Sequence, residues 1–174
     1  MLSRLIAALH RWAESGWAGA ATATWEVLQS SIVPGPSGAV FVPLAVADPE
    51  RSPELAIWGA AGAIAGGCIA FLIGAQAFES VGRPVLSTLG VSASALTSTA
   101  AMFDRHGWML VFVSTISPLS AKLTCIAAGA FGLPFVEFLP LLILGRIIRF
   151  GVLAILLRFA GERIAIRLAR RAGG

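Results

Sequence analysis

The chain alternates long apolar stretches with short polar breaks, and the breaks carry proline or glycine. Over residues 2–17, Leu2, Leu5, Ile6, Leu9, Trp12 and Ala13 follow the helical period, with Ser3, Arg4, His10, Arg11 and Glu14 opposite. Trp12 and Trp17 suit the headgroup level, so residues 1–21 are expected to form an interfacial amphipathic helix. His10 and Arg11 break its apolar run too early for the roughly 7–15-residue core of a cleavable signal. Residues 22–47 are apolar but are interrupted by Pro34-Gly35-Pro36 and carry Pro43. As helices, the arms 22–33 and 37–47 would reach roughly 18 and 16 Å, each about half of a ~30 Å hydrocarbon layer. Two such arms predict a re-entrant hairpin; the alternative is one kinked spanning helix. Broken backbone at that depth must be covered by protein or line a wet cavity.

Polar residues 48–54 precede an uncharged run over 55–78, long enough to span. Gly59, Gly62, Gly66, Gly67 and Gly74 punctuate it, and Gly62 and Gly66 form a small-x-x-x-small pair that lets another backbone approach. Residues 79–106 are more polar, broken by Gly82-Arg83-Pro84 and Gly90, and read as surface helices. Residues 107–132 repeat the hairpin pattern: an apolar arm to Ile116, a break at Ser117-Pro118, and a second arm to Ala130 with Gly129 near its end. A second span is expected over 135–157, then a basic cytoplasmic tail over 161–174, where Arg163, Arg167, Arg170 and Arg171 share a helical face.

The expected fold is therefore an all-α integral membrane protein. It is an inverted repeat of re-entrant helical hairpin plus transmembrane helix, with amphipathic interfacial helices. Interrupted apolar segments at corresponding positions of two halves point to a transport site between them. With both termini cytoplasmic, eight arginines lie inside (Arg4, Arg11, Arg51, Arg158, Arg163, Arg167, Arg170, Arg171) against Arg83 and Arg105 outside, which favours that orientation.

Composition supports the class. Apolar residues make up 57% and charged residues 13%, about half the usual ~25% of soluble domains. Mean hydropathy is +0.84. These values exclude a soluble enzyme, a disordered chain and a nucleic-acid module. The basic excess, net +4, reads as loop charge facing anionic lipid. Cys68 and Cys125 lie in apolar runs without metal-ligand spacing and read as packing residues. Neither Gly-x-Ser-x-Gly nor His-Glu-x-x-His occurs, so no enzyme activity, metal or cofactor is expected.

Three basic residues fall inside predicted membrane segments: Lys122, the single lysine, and Arg146 and Arg149, three apart on one face. A cation at membrane depth costs roughly 2.5–3.5 kcal/mol on insertion scales, so such residues face a protein interior or a wet cavity. Arg146 lies about 18 Å into its span, near the midplane. Ser117 with Pro118, and Ser37 after Pro36, could start half-helices whose N-termini attract anions. If the tips meet, these groups converge on a phosphate-bearing lipid headgroup. Alternatives stand beside this: Arg149 snorkelling or bonded to a carbonyl, Arg146 paired with Glu26 or Glu137, Lys122 reaching an interface. Asp104-Arg105-His106 reads as an interfacial charge cluster. Glu26 is the candidate proton-linked carboxylate, or else an interfacial acid.

Several motifs resemble the DedA (VTT-domain, SNARE-associated) membrane family, with the nearest likeness to its small YqaA-like branch. They are Phe103-x-Arg105-His106-Gly107, Ser117-Pro118-Leu119-Ser120-Ala121-Lys122, Ala127-Ala128-Gly129-x-Phe131-Gly132-x-Pro134-Phe135 and Gly145-Arg146-x-x-Arg149-Phe150. Pro34-Gly35-Pro36-Ser37 resembles the family's first break, over a likeness spanning roughly 22–160. The resemblance implies opposed re-entrant hairpins and movement of lipids, polyprenyl phosphate or phospholipid, across the inner membrane. This chain departs from the pattern: Gly38 stands where the family has an acid, Gln29 stands at an upstream acid position unless Glu26 takes that role, and Thr115 replaces a base. Lipid translocation is the leading expectation, with membrane lipids as partners and a homo-oligomer left open. A non-transporting scaffold using the glycine faces and a proton-coupled small-molecule exporter are the alternatives.

Overall fold

The computed structural model describes residues 15–33, 35–78, 93–116 and 121–172, together with Trp12 and Ser80. The amphipathic helix expected over 2–17 therefore lies almost wholly outside the described residues, as do Pro34, Ser117 and Pro118. Six α-helices are described: α1 (Ala18–Ser31), α2 (Phe41–Ala47), α3 (Ser52–Ala77), α4 (Ala93–Ile116), α5 (Ala121–Ala130) and α6 (Phe135–Ala172). A short 3-10 turn, Pro49–Arg51, links α2 to α3, and no strand occurs among the described residues.

Each boundary has a local cause. Pro53 sits in the first turn of α3, where its missing N–H is harmless. Just ahead of that turn, the Asp48 carboxylate accepts the Arg51 N–H at 3.4 Å. Arg51 pairs with Glu54 at 2.9 Å in the first turn of α3. At the end of α5, Leu133 N–H bonds Ala128 O and Gly132 N–H bonds Gly129 O, with Gly132 at φ +77°. That double closure needs a left-handed residue, which glycine supplies without steric penalty.

The first apolar hairpin is shifted from its expected bounds. α1 starts at Ala18, and the return arm α2 has 7 residues rather than the eleven of 37–47. Residues 37–40 are a turn instead, with Gly38 at φ +83°. The chain does reverse there. Residues 36–38 lie beside Trp25 and Glu26, well before the end of α1, and Phe41, Leu44 and Ala45 then join Ala18 in one core.

Glycines set the helix spacing. Gly19, Ala23 and Val27 of α1 meet Trp58, Gly62 and Gly66 of α3 in step, so the two helices run the same way. A Cβ at Gly62 or Gly66 would overlap the α1 backbone. Gly59 meets Phe150 and Gly67 meets Leu142, so α3 and α6 run in opposite directions. Gly74 and Gly129 bring the backbones of α3 and α5 together, and Gly145 of α6 sits under Thr115 of α4. One core joins α1, α2, α3 and α6 through Phe41 and Phe150, with ring centroids 5.5 Å apart. The other joins α3 to α6 and the second hairpin, where Phe71 stacks on Phe138 at 4.5 Å.

The boundary expected at 106/107 falls at a kink: within α4 two helical stretches meet at His106, whose backbone is not helical (φ −135°, ψ 15°). α6 continues unbroken through residues 158–172, so the basic tail extends the second span and is not a separate helix. Two helices, Pro49–Ala77 and Phe135–Phe159, are long and apolar enough to cross a bilayer. Their outer faces are unusually bare: Ile57 is 71% exposed, Val136 81% and Phe159 60%. Apolar surface on that scale has no place in water. A groove of about 610 Å³ between them is lined by Ile57, Ala60, Ile64, Phe150, Gly151 and Ile155.

Candidate functional site

Glu26 lies in the middle of α1 and is fully buried. Its Oε1 accepts the Gly38 N–H at 2.7 Å. Its Oε2 accepts Ser37 Oγ at 3.2 Å and Gln29 Nε2 at 2.7 Å. Gln29 Nε2 also donates to Ser30 Oγ at 2.9 Å. The indole of Trp25 donates to Pro36 O at 3.2 Å. The carboxylate thus ties the first break to its own leading helix. The helix begins at Ala18, which sets Glu26 about one turn further along it than a start at 22 would.

Ser37 does not cap the return helix. It lies in the turn, and Val40 occupies the N-cap of α2 without a side-chain cap bond. The free N–H expected at this tip is already matched, because Gly38 donates to Glu26. Gly35 packs against the Trp25 ring, and Pro36 supplies the carbonyl that the indole uses.

Lys122 lies in the first turn of α5, and its Nζ donates to Val33 O at 3.0 Å and Ile32 O at 3.3 Å. Those carbonyls end α1, where the helix dipole is negative and four carbonyls lack helical partners. The second hairpin thereby touches the tip of the first.

Arg146 is 1% exposed, the largest fully buried side chain described. Its Nε has no hydrogen-bond partner among the described residues. Glu26, Cys125 and Arg149 lie within its electrostatic reach, and Glu26 also acts on Arg149. Gly145 explains how the arginine enters: the missing side chain lets α6 close against Thr115, itself buried and bonded to Phe112 O at 2.8 Å. Glu137, the alternative partner for Arg146, is exposed in the first turn of α6.

The structure thus gathers Glu26, Arg146 and Arg149 from the two halves of the chain and ties Lys122 to the first tip. Gln29, Trp25 and Thr115 were missed as contributors. The polar run Gln29-Ser30-Ser31 inside an apolar helix was the available signal, since such groups are buried only when bonded. Asp104, Arg105 and His106 are exposed. Among the described residues no His/Cys/Asp/Glu group could hold a metal.

An all-helical chain with two bilayer-length apolar helices, bare apolar flanks and a buried ionic cluster at broken helices is a membrane protein. Residues 28–159 match the VTT domain, and the chain belongs to that family, of the DedA kind. An uncharacterized protein of Haemophilus influenzae is 25% identical over 143 residues, covering 82% of this chain and 73% of that one. No solved structure matches the chain.

Proposed function

We propose that the protein moves phosphate-bearing lipids between the leaflets of a bacterial inner membrane, with both termini cytoplasmic. The observation that carries this reading is Arg146: a buried guanidinium whose Nε has no hydrogen-bond partner among the described residues, beside a second arginine. A cation held at depth is costly and marks a protein interior, a wet cavity or a ligand path. The planar guanidinium fork matches phosphate oxygens. Three further features favour the reading. The first break reverses the chain, α3 and α6 run in opposite directions, and Lys122 joins the second hairpin to the first tip. Together they suit two opposed re-entrant hairpins with the headgroup path where they meet. The groove between α3 and α6 is apolar and suits an acyl tail, while Arg146 is not among its lining residues.

The scaffold reading needs the glycine faces free for another chain, but Gly62 and Gly66 are filled by α1 and Gly129 by α3. The test is dithionite quenching of a fluorescent phospholipid in vesicles holding purified protein. Wild type should expose inner-leaflet label, and R146Q, inserted at equal density, should not. Equal rates in the two proteins would refute the assignment.

A further inference from the structure

We propose that the groove between α3 and α6 binds one anionic glycerophospholipid from the surrounding bilayer, with an acyl chain along the groove and the phosphate at Arg158. This site is separate from Arg146 and stands whether or not the protein moves lipids. The groove has a floor, two rims and one charged end. Ala60, Phe150 and Ala154 are buried beneath it, while Ile57, Ile147 and Ile155 stand exposed along its edges. Small residues give it room: a Cβ at Gly151 would meet no atom within 4 Å. The two helices nevertheless touch over this stretch, because Ser52 Oγ donates to Ala154 O at 3.2 Å and Gly59 packs on Phe150.

These contacts fix the direction of the groove. They set Arg158 beside Pro53 at one end and Ile147 towards Ile64 at the other. The lining stretches, 53–64 and 147–158, each rise roughly 16 Å, about half of a ~30 Å hydrocarbon layer. Ile64 lies near the middle of the span Pro49–Ala77, so the groove runs from the headgroup level to the midplane, the reach of a chain in one leaflet. An unfilled groove in hydrocarbon forfeits dispersion contacts along its whole lining. A fluid chain satisfies that need from any lipid; the headgroup is selected at the end. Arg158 is the charged residue in the lining, and a guanidinium fork matches phosphate oxygens. Arg158 also interacts within the protein, but its five N–H donors leave room for a phosphate besides. The acids at this end stand apart: Asp48 accepts the Arg51 N–H, Glu54 pairs with Arg51, and neither they nor Glu50 line the groove. A second copy of the chain is the poorer occupant. A two-fold axis along the membrane normal would bring two Arg158 ends together.

The experiment places full-length protein in dioleoyl phosphatidylcholine nanodiscs with a trace of phosphatidylglycerol carrying a diazirine on one acyl chain, or of phosphatidylcholine with the same chain. Illumination and peptide mapping locate the label. Phosphatidylglycerol should label residues 53–64 and 147–158 about fivefold more than phosphatidylcholine does, the size of one arginine's attraction for an anionic lipid. The two lipids should label the exposed face at Val136 equally. R158Q should bring the groove ratio to near one, and R158K should keep it, which separates the charge of Arg158 from its other interactions. G151L puts a side chain into the open groove and should remove the groove label of both lipids while sparing Val136. A wild-type groove ratio of one, a ratio kept in R158Q, or groove label surviving G151L would overturn the proposal. So would a wild-type dimer in native mass spectrometry that G151L converts to monomer. If a variant does not insert, the wild-type ratio at the groove against that at Val136 decides.

Discussion

Lys122 and Val33 lie 89 positions apart in the chain, yet the lysine ammonium donates to the Val33 carbonyl at 3.0 Å. The bond joins the second hairpin to the end of α1, and it uses a charge on a helix terminus whose dipole favours cations. K122M keeps the stem and removes the donors. At this half-exposed place we expect a loss of roughly 1 kcal/mol, with partial recovery in K122R. Thermal unfolding in detergent reads the difference; a melting temperature equal to wild type in K122M would remove the tie from the account.

The first break depends on Glu26. E26A strands the Gly38 N–H and the Ser37 and Gln29 donors, and stranded buried donors cost roughly 1–3 kcal/mol each. E26Q keeps one carbonyl acceptor and should fall between wild type and E26A. The ranking by unfolding temperature is the check. Equal stability of E26A and E26Q would mean that the hydrogen bonds contribute nothing.

Gly62 and Gly151 provide an internal contrast on the two spans. A Cβ at Gly62 meets the Ala23 backbone, whereas none lies near one at Gly151. G62A should push α1 off α3 and lose on the order of 1–3 kcal/mol. G151A should be neutral or slightly stabilising, since alanine is the better helix former. Size-exclusion profiles and melting curves distinguish the two, and equal behaviour would contradict the packing described.

Arg146 should trade stability against activity. R146M fills a similar volume and removes a cation whose burial carries a desolvation cost, while Glu26 keeps its own hydrogen-bond donors Ser37, Gly38 and Gln29. We expect an unchanged or raised melting temperature together with lost lipid movement. A strongly destabilised R146M would recast the arginine as a structural group.

The two thiols should also differ. Cys125 is buried and Cys68 only partly so. Maleimide labelling of folded protein should reach Cys68 alone, and Cys125 only after unfolding.

Hydrophobic run length was decisive for the class. The apolar stretches that become α3 and the first part of α6 read as helices able to cross a bilayer because only a closed backbone ladder survives in hydrocarbon. The glycines of α3 were legible as close-approach positions for the same local reason: no other residue lets two backbones touch. The two arginines within the second apolar stretch were legible as functional candidates because the insertion cost of a cation there is large whatever surrounds it. Pro34-Gly35-Pro36 likewise marked a break, since proline ends helices by its own chemistry.

What no local pattern could supply was partnership. The sequence offered Glu26, Ser37, Gly38 and Gln29 as separate polar positions within apolar stretches, and only the reversal of the chain makes one carboxylate hold the other three. Lys122 looked like one more cation for a bound anion; the meeting of α5 with α1 turned it to backbone carbonyls. Which arginine keeps an Nε without a hydrogen-bond partner among the described residues, and which acid lies within its electrostatic reach, was likewise decided by packing. Burial free energy depends on the sum of neighbours within a few ångströms, and those neighbours come from distant parts of the chain.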